Sequence, residues 1–182
     1  MRHFLLSVHT CLQAATAHCT SPTTSCTHLL FQPNHLRENC SSLLLFALGR
    51  LLFCETGSAL LHAMEFPDLL ITLTVGSASD SKTLKPIESP ASLRKQRLLC
   101  AKFLLPSMNY VGSGSFGRSL LAAICSSGHT ALRLFTTKFM HLLLRLNIPT
   151  VEGWLIPLLL NLTSDRSAKV VLEAVSVLEV DQ

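Results

Sequence analysis

The sequence predicts an all-α protein built of short, stacked helices. Three observations predict it. Leucine occupies 38 of the 182 positions, about one in five, and its side chain loses little freedom on entering a helix. From position 41 onward, apolar residues recur at spacings of three and four, the period of a helix with one buried side. Glycine, proline, asparagine and serine interrupt these runs at short intervals, so that no single helix grows long.

Composition excludes several classes. Hydrophobic residues make up 48 % and charged residues 14 %, where a typical soluble domain carries about 25 % charge. Such a chain has ample apolar surface to bury and is not a disordered tail. Eight glycines and eight prolines are too few for a collagenous or low-complexity chain. A net charge of +4 does not by itself argue for nucleic acid. A membrane span needs about 20 apolar residues. Arg50 interrupts 41–54, and 154–162 is short and holds Pro157, so no transmembrane segment is expected. The low charge also fits a piece of a longer helical protein, with leucine faces meeting helices elsewhere in that chain.

Residues 1–40 differ from the rest. They are rich in Thr, Ser, Cys and His, and show no sustained helical period. They are expected to be poorly ordered. The first seventeen resemble a secretory leader, but His9, Thr10 and Gln13 break its apolar core. Seven cysteines is an odd number, and Cys54, Cys100 and Cys125 sit among leucines, where cysteine acts as a small hydrophobe. A reducing, cytoplasmic compartment is the expectation; a secreted cysteine-rich product is the minor alternative. Asn39-Cys40-Ser41 and Asn161-Leu162-Thr163 fit the glycosylation triplet, a pattern that also arises by chance.

The helices follow in order. Ser41 and Ser42 can cap a helix to about Cys54, with Leu44, Leu45, Leu48, Leu51 and Leu52 on one face. Gly57 allows a turn, after which Ser58 to Met64 continues helically. Pro67 and Asp68 suit the first turn of a helix reaching Val75, although Ile71 and two threonines make a strand conceivable there. A loop covers 76–92. A basic amphipathic helix spans Leu93 to Leu105 and ends at Pro106. A second loop runs to Gly117, and a short helix covers Ser119 to Cys125. His129 to Leu146 carries Leu132, Phe135, Phe139, Leu142, Leu143 and Leu146 on its expected face. Asn147 and Pro149 stop it. Val151 to Leu162 is a short apolar helix. Asp165 can cap a last helix whose expected face is Ala168, Val171, Leu172, Val175 and Leu178. No strict heptad persists, which excludes a long coiled coil. Residues 41–182 therefore read as one armadillo/HEAT-like region of degenerate helix pairs, with loops near 76–92 and 106–117.

Chemistry finds little purchase. Gly112-Ser113-Gly114-Ser115-Phe116-Gly117 matches GxGxxG. A dinucleotide site also needs a preceding strand and an acid about 20 residues on, yet no acid lies between Glu88 and Glu152. A flexible Gly/Ser loop is the favoured reading, and a nucleotide-dependent enzyme the rival. His9, Cys11, His18, Cys19, Cys26, His28, His35 and Cys40 are all metal-ligand types, but no tight CxxC-like pair occurs among them. No metal, cofactor or catalytic residue is assigned: His62, His129 and His141 are scattered, and Glu55, Glu65 and Asp68 have no evident nucleophile beside them. Trp154, the single tryptophan, reads as a core anchor. Between Ser89 and Val151 stand Arg94, Lys95, Arg97, Lys102, Arg118, Arg133, Lys138 and Arg145 and no acid, a local charge of +8. Solvated helix faces are the favoured reading; a surface for an acidic partner is the alternative, with Arg94, Arg97, Lys138 and Arg145 as its contact residues. Interleaved aromatics of a nucleic-acid platform are lacking.

One stretch carries a family resemblance. Ala131-Leu132-Arg133-Leu134-Phe135-Thr136-Thr137-Lys138-Phe139-Met140-His141-Leu142-Leu143-Leu144-Arg145 is followed by Trp154-Leu155-Ile156-Pro157-Leu158-Leu159-Leu160 and then by Lys169-Val170-Val171-Leu172-Glu173-Ala174-Val175-Ser176-Val177-Leu178. In order and spacing these resemble a helical-repeat region of the Rictor family, the rapamycin-insensitive companions of TOR. The resemblance covers Ala131 to Glu179; the family's Asp-Glu-Ala-Cys ending gives way here to Val180-Asp181-Gln182. It implies a fragment of a non-catalytic scaffold of TOR complex 2. The implied partners are TOR kinase, the other subunits of that complex and AGC-family kinase substrates. The implied setting is cytoplasmic and peripheral to membranes, in signalling to the actin cytoskeleton. A generic armadillo/HEAT adaptor with a basic surface is the alternative.

Overall fold

In the computed structural model the described residues are 2–20, 31, 36, 41–76, 91–112, 114–146, 148 and 150–180. Among them every regular element is helical, as the leucine period predicts, and there is no strand. The chain forms two compact units, Met1–Met108 and Asn109–Gln182.

The first unit holds α1 (Arg2–Thr20), α2 (Ser41–Phe53), α3 (Glu55–Ala63), α4 (Phe66–Val75) and α5 (Ala91–Leu104), closed by a 3-10 turn at Leu105–Ser107. Helix α1 corrects the reading that no helical period runs through the N-terminal residues. Leu5, Val8, Leu12 and Ala15 are buried at steps of three and four, and α1 packs on α4. The polar residues between them hid that stripe from a composition-based reading. Of the expected contact face of α2, Leu45, Leu48 and Leu52 are buried and Leu44 and Leu51 half-buried, the row being completed by Ser41 and Gly49. It lies against α5, whose buried residues include Cys100, Ala101 and Leu104. Each such leucine contributes about 1.5–3 kcal/mol when fully buried.

Between α2 and α3 the chain bends by 113°. The turn falls at Cys54 and not at Gly57. The Cys54 Sγ accepts a hydrogen bond from the Gly57 N–H at 3.3 Å, an N-cap made by a thiol. Gly57 lies inside α3 because that turn runs against the preceding helix: a Cβ there would collide with the Leu51 carbonyl and stand 2.8 Å from the Cys54 Sγ. Residues 66–75 are helical rather than extended. Pro67 sits in the first turn, where its missing N–H costs nothing.

The second unit holds α6 (Phe116–Cys125), α7 (Thr130–Arg145), α8 (Glu152–Leu162) and α9 (Ala168–Val180). Its core is made by Leu120, Leu121 and Ile124 of α6, Leu132, Met140 and Leu143 of α7, Leu155 and Leu159 of α8, and Val170, Ala174 and Val177 of α9. Two expected faces are corrected here. On α9 the small residues Val170, Ala174 and Val177 turn inward, which lets α7 and α8 both pack on it. Leu172 (70 % exposed) and Val175 (36 %) of the expected face point to solvent. On α7 the buried row is Leu132, Arg133, Thr136, Thr137, Met140, Leu143 and Leu144, while Leu142 and Leu146 are exposed. A buried arginine and two threonines had disguised that row as a solvent face. The Thr137 Oγ1 donates to the Arg133 carbonyl at 2.9 Å, so its hydroxyl is satisfied within the helix.

Candidate functional site

The four basic residues proposed as partner contacts do not stand alike. Arg94 is exposed on α5, beside the exposed Lys95. Arg97 is buried, only 3 % exposed, which corrects its expected role as a surface contact. Its position explains this: with Gln96, Cys100, Ala101 and Leu104 it belongs to the buried face of α5. Its guanidinium fills the space that a side chain at Gly76 would need, with the Arg97 Cζ 2.8 Å from a Cβ built there. Gly76 closes α4 with φ +103°, a conformation natural to glycine. The cation therefore rests at a helix C-terminus, the end that favours positive charge. Lys138 is exposed on α7, its Nζ 3.8 Å from a carboxylate oxygen of Glu173 on α9, a surface pair of little energy. Arg145 is exposed in the last turn of α7.

Two other arginines of the acid-free stretch turn inward. Arg133 is 2 % exposed and forms a two-pronged ion pair with Asp165 in the turn before α9. Its Nε donates to Asp165 Oδ2 at 2.6 Å and its Nη2 to Oδ1 at 2.9 Å. Its Nη1 donates to the Ser127 carbonyl at 2.6 Å, in the turn after α6. One side chain thus ties α7 to the turns on either side of it in the fold. The hydrogen bond from Arg133 holds the Asp165 carboxyl below the usual carboxylate range against the opposing effect of burial, and the Ser167 N–H, at 2.8 Å from Oδ1, adds to it. Asp165 does not cap α9 as expected: it stands two residues before Ser167, whose carbonyl accepts the first helical N–H groups, and it accepts only the Ser167 N–H; its main contact is the ion pair, which the sequence did not announce. Arg166 reinforces the same seam by donating from Nη2 to the Gly128 carbonyl at 2.8 Å.

Arg118 organises a second cluster. Its Nε donates to the Tyr110 carbonyl at 2.8 Å and its Nη2 to the Val111 carbonyl at 2.6 Å. Its guanidinium lies over the Trp154 ring at 4.8 Å. Tyr110 stacks on Trp154 with ring centroids 6.3 Å apart and meets Phe139 at 5.9 Å. Burial pushes the Tyr110 phenol well above its ordinary pKa. Trp154, half-buried, thus ties α8 to the segment before α6 and to Arg118 of α6, and Tyr110 carries the contact on to α7.

The Gly-rich stretch lies just ahead of α6. Gly112 and Gly114 are exposed, and a Cβ on either would meet nothing within 4 Å. The carbonyl of Gly112 accepts from the Ser115 N–H at 3.1 Å, a simple turn. No strand precedes it among the described residues. Of the residues of metal-ligand type near the N-terminus, His9 packs its ring edge-on against Phe66 at 5.4 Å and Cys11 is half-buried. The side chains of His18, Cys19, Cys26, His28, His35 and Cys40 lie outside the described residues. Among the described residues no three His, Cys, Asp or Glu side chains come together as metal ligands would. Burial pushes the Cys125 thiol up to about 12, so it stays protonated at neutral pH and is a poor nucleophile.

These arrangements hold helices in register. The donors of Arg118 and Arg133 are aimed at the chain's own carbonyls and carboxylate, while Arg94, Lys95, Lys102, Lys138 and Arg145 of the same stretch are exposed. Among the described residues no single helix is long and apolar enough to cross a membrane, although α2 and α3 together would be if they were not bent. Compared with family models, curated proteins and solved structures, the chain matches none.

Proposed function

We propose that the chain is a non-catalytic helical scaffold, an armadillo/HEAT-like stack that holds other proteins, and that it serves TOR complex 2 in the manner of the Rictor family. The observation that carries this reading is the stretch from Ala131 to Glu179. The residues that resemble that family occur there in the same order as three successive helices, α7, α8 and α9, packed on one another. The exposed cations Arg94, Lys138 and Arg145 are the proposed contacts for acidic partner surfaces. The clasp between Arg133 and Asp165 is a positioning device that fixes α7, the helix presenting two of them, Lys138 and Arg145. The proposed setting is cytoplasmic, with TOR kinase and AGC-family kinases as partners.

Affinity purification of the tagged chain tests the proposal. TOR kinase is expected to co-purify, and charge reversal at Lys138 and Arg145 together is expected to reduce its recovery several-fold. If TOR kinase never co-purifies, the Rictor-like reading fails. If recovery is indifferent to both charges, the basic contact surface fails.

A further inference from the structure

We propose that α9 is a self-association surface, on which a second copy of this chain docks its own α9 in antiparallel register. This inference does not depend on the Rictor-like reading. It starts from the side of α9 opposite its core face. Val170, Ala174 and Val177 point inward. Ala168, Leu172, Val175 and Glu179 recur at steps of four, three and four and share the opposite, exposed side. A spacing of four and three is what a helix shows to another helix lying along it. Leu172 is 70 % exposed and Val175 36 %, so the centre of this stripe is apolar and uncovered.

Charge says what covers it. Lys169 and Glu179 are both exposed at opposite ends of the stripe. Place two copies antiparallel about a two-fold axis midway between Leu172 and Val175. Each Leu172 then meets the Val175 of the other copy, and each Ala168 faces the other copy's Glu179. Alanine leaves room for that carboxylate, and Lys169, next to it on the helix, reaches it. The symmetric pairing makes two Lys–Glu contacts flanking four apolar side chains. A parallel pairing would instead set Lys169 against Lys169 and Glu179 against Glu179, which repel. The stripe is self-complementary in one direction only, the property a two-fold interface requires.

The surface is small. Thirteen residues make a helix about 20 Å long, so the pairing belongs with weak interfaces below about 1,200 Å². A dissociation constant on the order of tens of micromolar is expected, which sedimentation equilibrium on the full chain reads directly.

Four variants decide it, all at exposed positions. Leu172→Glu should raise the dissociation constant at least about tenfold, by placing two carboxylates at the centre. Lys169→Glu alone and Glu179→Lys alone should each weaken association by about fivefold. A one-to-one mixture of those two single variants should regain it as a heterodimer, because every flanking contact again joins opposite charges. The double variant Lys169→Glu/Glu179→Lys should recover self-association for the same reason. A wild-type chain that stays monomeric to millimolar concentration overturns the proposal. So does a dimer untouched by Leu172→Glu, or single-variant losses that neither the mixture nor the double variant repairs.

Discussion

Replacing Asp165 with asparagine probes the clasp of the second unit most directly. The side chain keeps its shape, and its amide oxygen can still accept from Ser167 and from one nitrogen of Arg133. What is lost is the negative charge opposite a guanidinium that is only 2 % exposed. Removing one partner of a buried ion pair costs about 3–5 kcal/mol, because the other charge stays buried without compensation. The Ser127 carbonyl at 2.6 Å and the retained amide contact place the expected loss at the lower end, about 3 kcal/mol. With a urea dependence of about 1–3 kcal/mol per molar, the unfolding midpoint of that unit should fall by roughly 1–3 M, read by helical circular dichroism and by the fluorescence of Trp154. Pairing the change with Arg133→Met, which removes the stranded cation, should restore at least half of the loss. The pH dependence follows from the same contact. Folding lowers the Asp165 pKa, so the clasp contributes fully above the unfolded value of about 4 and is lost as pH falls below it toward the folded value. Wild type should therefore lose stability below about pH 4 more steeply than Asp165→Asn. A single-variant loss under about 1 kcal/mol, or a double variant as unstable as the two losses summed, would refute the reasoning.

Three further outcomes are expected. Arg118→Ala should destabilise the second unit by about 1–3 kcal/mol and shift Trp154 emission, since the guanidinium over that ring is removed; an unchanged spectrum counts against the stacking. Glu65 adopts φ +59° without a side-chain cap bond, so Glu65→Gly should stabilise the first unit by about 0.5–1 kcal/mol. A loss of stability would mean that the left-handed turn carries no strain. In thiol labelling of the native chain at pH 8, the exposed Cys54 should react several times faster than the half-buried Cys125, whose pKa is pushed up to about 12; equal rates would mean that the surroundings of Cys125 give its thiol no protection.

The helices from position 41 onward were legible because their leucines obey the helical period strongly and their breaks carry proline, glycine or asparagine. Pro67, for example, marked the start of α4 correctly. Which side of a helix faces the core was less legible. Helix α9 has apolar residues all but encircling it, and the inward side was decided by what α7 and α8 could approach closely, which selected Val170, Ala174 and Val177 over the larger Leu172. Helix α1 was missed because threonine, histidine and glutamine fill the gaps between Leu5, Val8, Leu12 and Ala15. The clasp was illegible for a different reason. Arg133 and Asp165 lie 32 residues apart, and nothing local ties one to the other. One trace was readable: Arg133 stands four residues before Thr137 and seven before Met140, in phase with a buried row, where an arginine needs an acid. Arg97 left the same trace on α5, in phase with Cys100, Ala101 and Leu104.

The thiol that caps α3 makes the corner between α2 and α3 a soft joint. Sulfur attracts an amide proton far more feebly than a serine or aspartate oxygen would, so the first turn of α3 is secured chiefly by the backbone bond from the Ser58 N–H to the Cys54 carbonyl at 2.8 Å. Solvent deuterium should consequently enter the Gly57 amide well before the amides in the middle of α2, and Cys54→Ser should slow that entry by supplying a firmer acceptor at the same elbow.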